Sequence, residues 1–82
     1  MKLIQVLGPG YARCKLLEEN TRKAAKAISL ECEILKVTDM NAIMHMGVMM
    51  TPGLVIDGQV VMSGKVPTVE ELKKLLKEQA VE

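Results

Sequence analysis

Cys14 is the residue in this chain best placed to do chemistry. It follows the turn-forming triplet Gly8-Pro9-Gly10 and falls in the first turn of an amphipathic helical pattern. A thiol acts as a nucleophile in its thiolate form. The start of the helix favours an anion, because its N–H groups are unpaired and carry partial positive charge, and a cysteine at position 11 would be placed for this. Arg13 and Lys15 add positive charge on either side of Cys14. The second cysteine, Cys32, does not reach this point. A helix from Cys14 to about Ser29 advances roughly 22 Å at ~1.5 Å per residue. A disulfide needs Cα atoms within about 7 Å. Cys32 therefore reads as a structural strand residue, and a Cys14–Cys32 bond would contradict the fold expected below.

Other groups are weaker candidates. Met44-His45-Met46 and Met49-Met50 form a cluster of soft ligands of the kind that suits Cu(I). The competing reading is that methionine fills gaps left by absent aromatics and lines an adaptable surface. His45 is the sole histidine. Lying mid-helix among apolar residues, it reads as a surface side chain and gives no Cys-His-Asp constellation. No metal site is assigned.

The elements that must position Cys14 follow from periodicity. Lys2 to Leu7 is a short apolar run bounded by Gly-Pro-Gly and reads as a buried strand. Tyr11 or Ala12 to about Ser29 reads as a helix, with Cys14, Leu17, Thr21, Ala24, Ala25 and Ile28 on one face. Glu31 to Val37 reads as a second strand, with Cys32, Ile34 or Leu35, and Val37 on its apolar side. Strand, helix and strand in this length form a parallel right-handed unit. Thr38 or Asp39 caps a short helix, about Met40 to Met46, that stops at Gly47. Gly53 to Ile56 and Gln59 to Ser63 flank Asp57-Gly58, a strong hairpin signal. Thr68 and Glu71 make a capping box for a last helix through about Gln79, its Leu72, Leu75 and Leu76 turned inward. Gly64 marks a bulge or turn, and Lys65 beside it is solvated.

The 82 residues are expected to form one domain, 1–82, with no room for a second. Apolar residues make up 49%, but there is no Phe or Trp and Tyr11 is the one aromatic, so the core is aliphatic and methionine-filled. A net charge of +1 with interspersed signs, and no aromatic stacking platform, disfavours nucleic acid. No apolar run approaches the ~20 residues of a membrane span. Met1-Lys2-Leu3-Ile4 runs directly into a strand rather than a signal peptide. The expected compartment is the cytoplasm, where thiols stay reduced.

Three segments resemble the small thioredoxin-like, glutaredoxin-like "redox-active disulfide protein" family. They are Gly8-Pro9-Gly10-Tyr11-Ala12-Arg13-Cys14-Lys15, then Thr51-Pro52-Gly53-Leu54-Val55-Ile56-Asp57-Gly58, and finally Val61-Met62-Ser63-Gly64 with Pro67-Thr68-x-Glu70-Glu71-Leu72. The match covers essentially the whole chain, and Pro52 to Gly58 is its most specific part. The resemblance implies an α/β fold of order β-α-β-α-β-β-α, a four-stranded mixed sheet with helices on both faces. The first and last helices would share one face. It also implies thiol–disulfide oxidoreductase activity without a cofactor, on protein or small-molecule thiols and disulfides, with electrons from a thioredoxin-reductase-like donor.

Family members carry Cys-x-x-Cys at the first helix, with the first cysteine as nucleophile and the second resolving the mixed disulfide. Here Tyr11 stands at the first position and Cys14 at the second. The dithiol couple is unavailable, since a phenol cannot attack a disulfide. Two readings of Cys14 follow: an inert core-facing thiol, or a single thiol forming mixed disulfides or undergoing reversible oxidation. Pro52 resembles the family's cis-proline, which turns the Thr51 backbone outward to pair with an extended segment. The plainer alternative is a trans proline at a strand start. A non-redox peptide-binding module built on Tyr11, Met49, Met50, Thr51 and Pro52 is thus the alternative function, and a soft-metal carrier is a third.

Overall fold

The computed structural model describes residues 1–80; the final two residues of the expected single domain lie outside them. Seven elements follow in order: β1 (Lys2–Leu7), α1 (Ala12–Ala27), β2 (Cys32–Val37), α2 (Met40–His45), β3 (Gly53–Ile56), β4 (Gln59–Ser63) and α3 (Val69–Ala80). The strands form one mixed sheet in the order β2-β1-β3-β4. β1 runs parallel to β2, with Lys2 opposite Cys32 and Leu7 opposite Val37. β3 is antiparallel to both β1 and β4. This is the architecture anticipated from the sequence.

The side-chain alternation of each strand divides the core in two. Ile4 and Val6 of β1 and Leu54 and Ile56 of β3 face Leu17, Ala24 and Ala25 of α1 and Leu72 and Leu76 of α3. On the opposite face Leu7 and Val55 pack with Ile43 of α2 and Val48. β2 departs from the sequence expectation here. Cys32 and Ile34 join the α1–α3 layer, whereas Val37 joins the α2 layer and Leu35 is exposed. Cys32 and Val37 are five positions apart, an odd spacing that places them on opposite faces of a strand.

Local signals account for most of the boundaries. α1 ends at Ala27, slightly before Ser29, because Ser29 adopts a left-handed backbone with φ of 54°. The Asp39 carboxylate accepts the Asn41 N–H at 2.9 Å and caps α2. Thr68 N–H donates to Glu71 Oε1 at 3.1 Å while Glu71 N–H donates to Thr68 Oγ1 at 3.2 Å, the reciprocal capping box. Asn20 Nδ2 donates to Pro67 O at 3.0 Å and ties α1 to the approach of α3. A register shift between Leu54 and Val55 leaves an extra residue on β4, a bulge near Val61.

The β3–β4 turn does more than reverse the chain. Asp57 and Gly58 have φ of 48° and 84°, the positive pair a two-residue hairpin turn requires. Asp57 Oδ1 also accepts the Leu3 N–H at 2.9 Å, and Oδ2 lies 3.1 Å from Lys2 Nζ. The Leu3 N–H bond first, and then Lys2, hold the Asp57 carboxyl below its ordinary value of 3.8. The folded state thus prefers the ionised form. Its contribution is complete above the unfolded value and is lost as pH falls through the folded one. Asp57→Asn keeps an acceptor for Leu3 and a residue that tolerates positive φ. In denaturant titrations across acidic pH, the native chain should therefore lose stability below about pH 4 more steeply than the Asn variant. Parallel curves would show that the Asp57 charge is not linked to folding.

Candidate thiol site

The site forms where β1 gives way to α1. The Gly8 N–H donates to Val37 O at 2.9 Å, so sheet pairing continues one residue beyond Leu7. The chain then turns through Pro9 and Gly10 into α1. Gly8 is buried against Cys14. A Cβ placed on Gly8 would collide with the Cys14 sulfur, lie 3.1 Å from Cys14 Cβ, and approach Thr51 Cβ at 3.9 Å. Glycine is required here by close approach: the thiol occupies the space a side chain would need. Gly8 thereby gathers Cys14 and Thr51 around one point.

Tyr11 is the N-cap residue of α1, with extended φ and ψ and no side-chain capping bond. No acidic residue occupies the first turn of α1. Tyr11 is 73% exposed, whereas Cys14 is only 6% exposed. The phenol is open to solvent, and the thiol is buried against Gly8.

The Thr51–Pro52 peptide is cis, and Pro52 is fully buried. Pro52 O accepts the Gly64 N–H at 2.7 Å. Neither the N–H nor the C=O of Thr51 takes part in the backbone hydrogen bonds found among the described residues. Gly64 is a second junction. Its carbonyl accepts Arg13 Nη2 at 3.0 Å, and the Met50 side chain lies against it, with the sulfur 3.6 Å from where a Cβ would stand. Arg13 thus fastens the start of α1 to the exit of β4, a link that no sequence spacing signalled.

The structure disperses the methionine cluster. Met46 is partly buried against the α2 layer. Met44 and His45 line a shallow hollow with Asn41 on α2, and Cys14 is not part of that hollow. Met49 is 93% exposed, and Met50 is 66% exposed beside Gly64. Among the described residues, no three His, Cys, Asp or Glu side chains gather as metal ligands. Cys32 lies opposite Lys2, at the start of β1, while Gly8 follows its end. Six residues of strand at ~3.3 Å each separate the two ends by about 20 Å. Both cysteines are free. Burial pushes the Cys32 thiol up, and Arg22 offsets part of that rise.

A thioredoxin-domain family model matches residues 2–77. The chain belongs to the thioredoxin family. Its relatives include a thioredoxin of Methanothermobacter thermautotrophicus, 40% identical over 76 residues, spanning 93% of this chain and 99% of that protein. A thioredoxin of Methanocaldococcus jannaschii is 42% identical over 77 residues, spanning 94% of this chain and 88% of its own length. Among the described residues of this thioredoxin-family chain, no helix is long and apolar enough to cross a membrane.

The Gly8–Cys14 contact generates a coupling test. Gly8→Ala should destabilise the fold by about 1–3 kcal/mol through overpacking. Cys14→Ala removes the sulfur, so adding Gly8→Ala to it should cost at least about 1 kcal/mol less than in the native background. Additive costs in chemical denaturation would mean that the sulfur does not set the requirement for glycine.

Proposed function

We propose that this protein is a thiol–disulfide oxidoreductase of the thioredoxin family whose two-cysteine cycle is blocked at Tyr11, leaving single-thiol exchange through Cys14. One observation carries the reading: Cys14 is the one thiol at the site, and the exposed position ahead of it is a phenol. The Cys14 thiolate would attack one sulfur of a disulfide, forming a mixed disulfide and releasing the other half as a thiolate that takes up a proton. Cys32, at the far end of β1, is out of range to resolve it. An external thiol must then attack the mixed disulfide and release Cys14. A reductase-type donor, which in a two-cysteine thioredoxin returns electrons to the dithiol, finds no intramolecular disulfide here.

The burial of Cys14 against Gly8 makes this exchange slow, because a partner sulfur has little direct access to the thiol. Specific features favour a second, non-redox reading. The Thr51 N–H and C=O take no part in the backbone hydrogen bonds found among the described residues, which leaves them for strand addition, and Tyr11, Met49 and Met50 are exposed apolar side chains. On that reading Thr51, Pro52 and Met50 hold an extended segment of a protein partner and no covalent step follows. The residues proposed for substrate contact are the same in both cases. The cytoplasm is the compartment that suits free thiols at both cysteines.

Two measurements discriminate. Titration of native protein with a thiol reagent should modify Cys14 at least about tenfold more slowly than an unhindered thiol. If both cysteines react only after unfolding, single-thiol exchange fails and the binding reading stands. In a disulfide-reduction assay, Tyr11→Cys should exceed the unaltered chain by more than about tenfold, because an exposed nucleophile is restored ahead of Cys14. Equal rates would show that Tyr11 is not what blocks the cycle.

A further inference from the structure

We propose that Arg13 is a positioning residue that keeps the Cys14 thiol closed off: by giving a guanidinium N–H to the Gly64 carbonyl, it clamps the first turn of α1 to Gly64, and through Gly64 to Pro52. This role rests on the thiol chemistry proposed above for Cys14 and adds what governs access to it.

The first turn of α1 has few other restraints. Tyr11 makes no side-chain capping bond, and no acidic residue stands in that turn. Among the described residues, the Arg13 bond, at 3.0 Å, is the one hydrogen bond that joins this turn to another segment. Arg13 is exposed and stands outside the ion pairs found among those residues, which are Lys2–Asp57, Arg22–Glu18, Lys36–Glu18 and Lys73–Glu70. Its guanidinium is thus committed to a neutral carbonyl rather than to a carboxylate. The acceptor is itself fixed. The Gly64 N–H donates to Pro52 O at 2.7 Å, and Met50 Cβ lies 3.2 Å from where a Gly64 Cβ would stand.

These contacts close a ring. Pro52 follows Thr51, Thr51 Cβ comes within 3.9 Å of the Cβ position of Gly8, and Gly8 yields that position to the Cys14 sulfur. Cys14 is the chain neighbour of Arg13, so the circuit Arg13, Gly64, Pro52, Thr51, Gly8, Cys14 returns to its start. Within it Cys14 is 6% exposed. The Arg13 bond is the link made by a long, exposed side chain. Water competes for both of its partners, so it adds little net stability and can open while the sheet stays intact. Opening frees the first turn of α1 to move away from Gly8 and uncover the sulfur. An effect through charge alone would have the opposite sign. A positive charge beside a thiol favours the reactive thiolate, so its loss would slow Cys14. Loss of the clamp speeds it.

Two substitutions test the role. Arg13→Met removes the donor and the charge, and Arg13→Lys keeps both. The native chains are treated with iodoacetamide, and the rates at Cys14 and Cys32 are read separately by mass spectrometry. Amide hydrogen exchange is followed at Gly64 and at Leu3, whose N–H is bonded to Asp57 at the start of β1. Arg13→Met should raise both the Cys14 rate and Gly64 exchange at least about fivefold, the scale of one hydrogen bond. Cys32 and Leu3 should stay within about twofold, which global unfolding would not permit. Arg13→Lys should hold all four readings near those of the unaltered chain. The role is overturned by a slower or unchanged Cys14 rate, by an unchanged Gly64 amide, or by a joint rise at Cys32 and Leu3. It is overturned equally by a lysine variant as reactive as the methionine one. Failure of single-thiol exchange reads differently: Cys14 silent in the unaltered chain removes that function, while its exposure by Arg13→Met still supports the clamp.

Discussion

Everything in this fold is referred to β1. It is hydrogen-bonded on one side to parallel β2 and on the other to antiparallel β3. It is covered on one face by α1 and α3 and on the other by α2. A strand held on four sides has little freedom to slip, because a one-residue shift would exchange its two buried faces. Its start is anchored separately, since Leu3 and Lys2 both engage the Asp57 carboxylate. The end of β1 is therefore a fixed point, and Gly8 inherits that position.

The site is an outgrowth of that fixity. Gly8 extends the β2 pairing by one bond and lends its empty Cβ space to Cys14. The same residue approaches Thr51, which precedes a buried cis-proline. Gly64 then closes the ring, receiving Arg13 from α1 and donating to Pro52. Four separate segments are thus bound together by short contacts, one backbone hydrogen bond between Gly64 and Pro52 and side-chain contacts from Arg13, Cys14 and Thr51. Tyr11, at the N-cap of α1, is 73% exposed and makes no side-chain capping bond, so its side chain carries little of the scaffold.

Much of this was legible in the sequence, for identifiable reasons. Asp57-Gly58, Thr68-Glu71 and the three- and four-residue spacing of Leu17, Thr21 and Ala24 are local codes, and each is realised locally. The position of Cys14 on the core-facing stripe followed from the same periodicity. What could not be read were contacts between distant segments. Arg13 looked like a charge near a thiol, yet it is also a tie to Gly64, 51 positions away. Asp57 looked like a turn residue, yet it also holds β1. β2 was misread for a different reason: its apolar residues belong to both faces, so no single alternating face exists to detect.

The aliphatic core has a practical consequence for observing the molecule. With no tryptophan or phenylalanine, the chain's near-ultraviolet signal belongs to Tyr11 alone. That ring is already largely in water in the folded state. Its emission is therefore poorly suited to following unfolding, since the environment changes little. It stands instead at the turn from β1 into α1, three residues ahead of Cys14. The protein carries a single intrinsic optical probe, positioned to report on the surface at the start of α1 rather than on the state of the core.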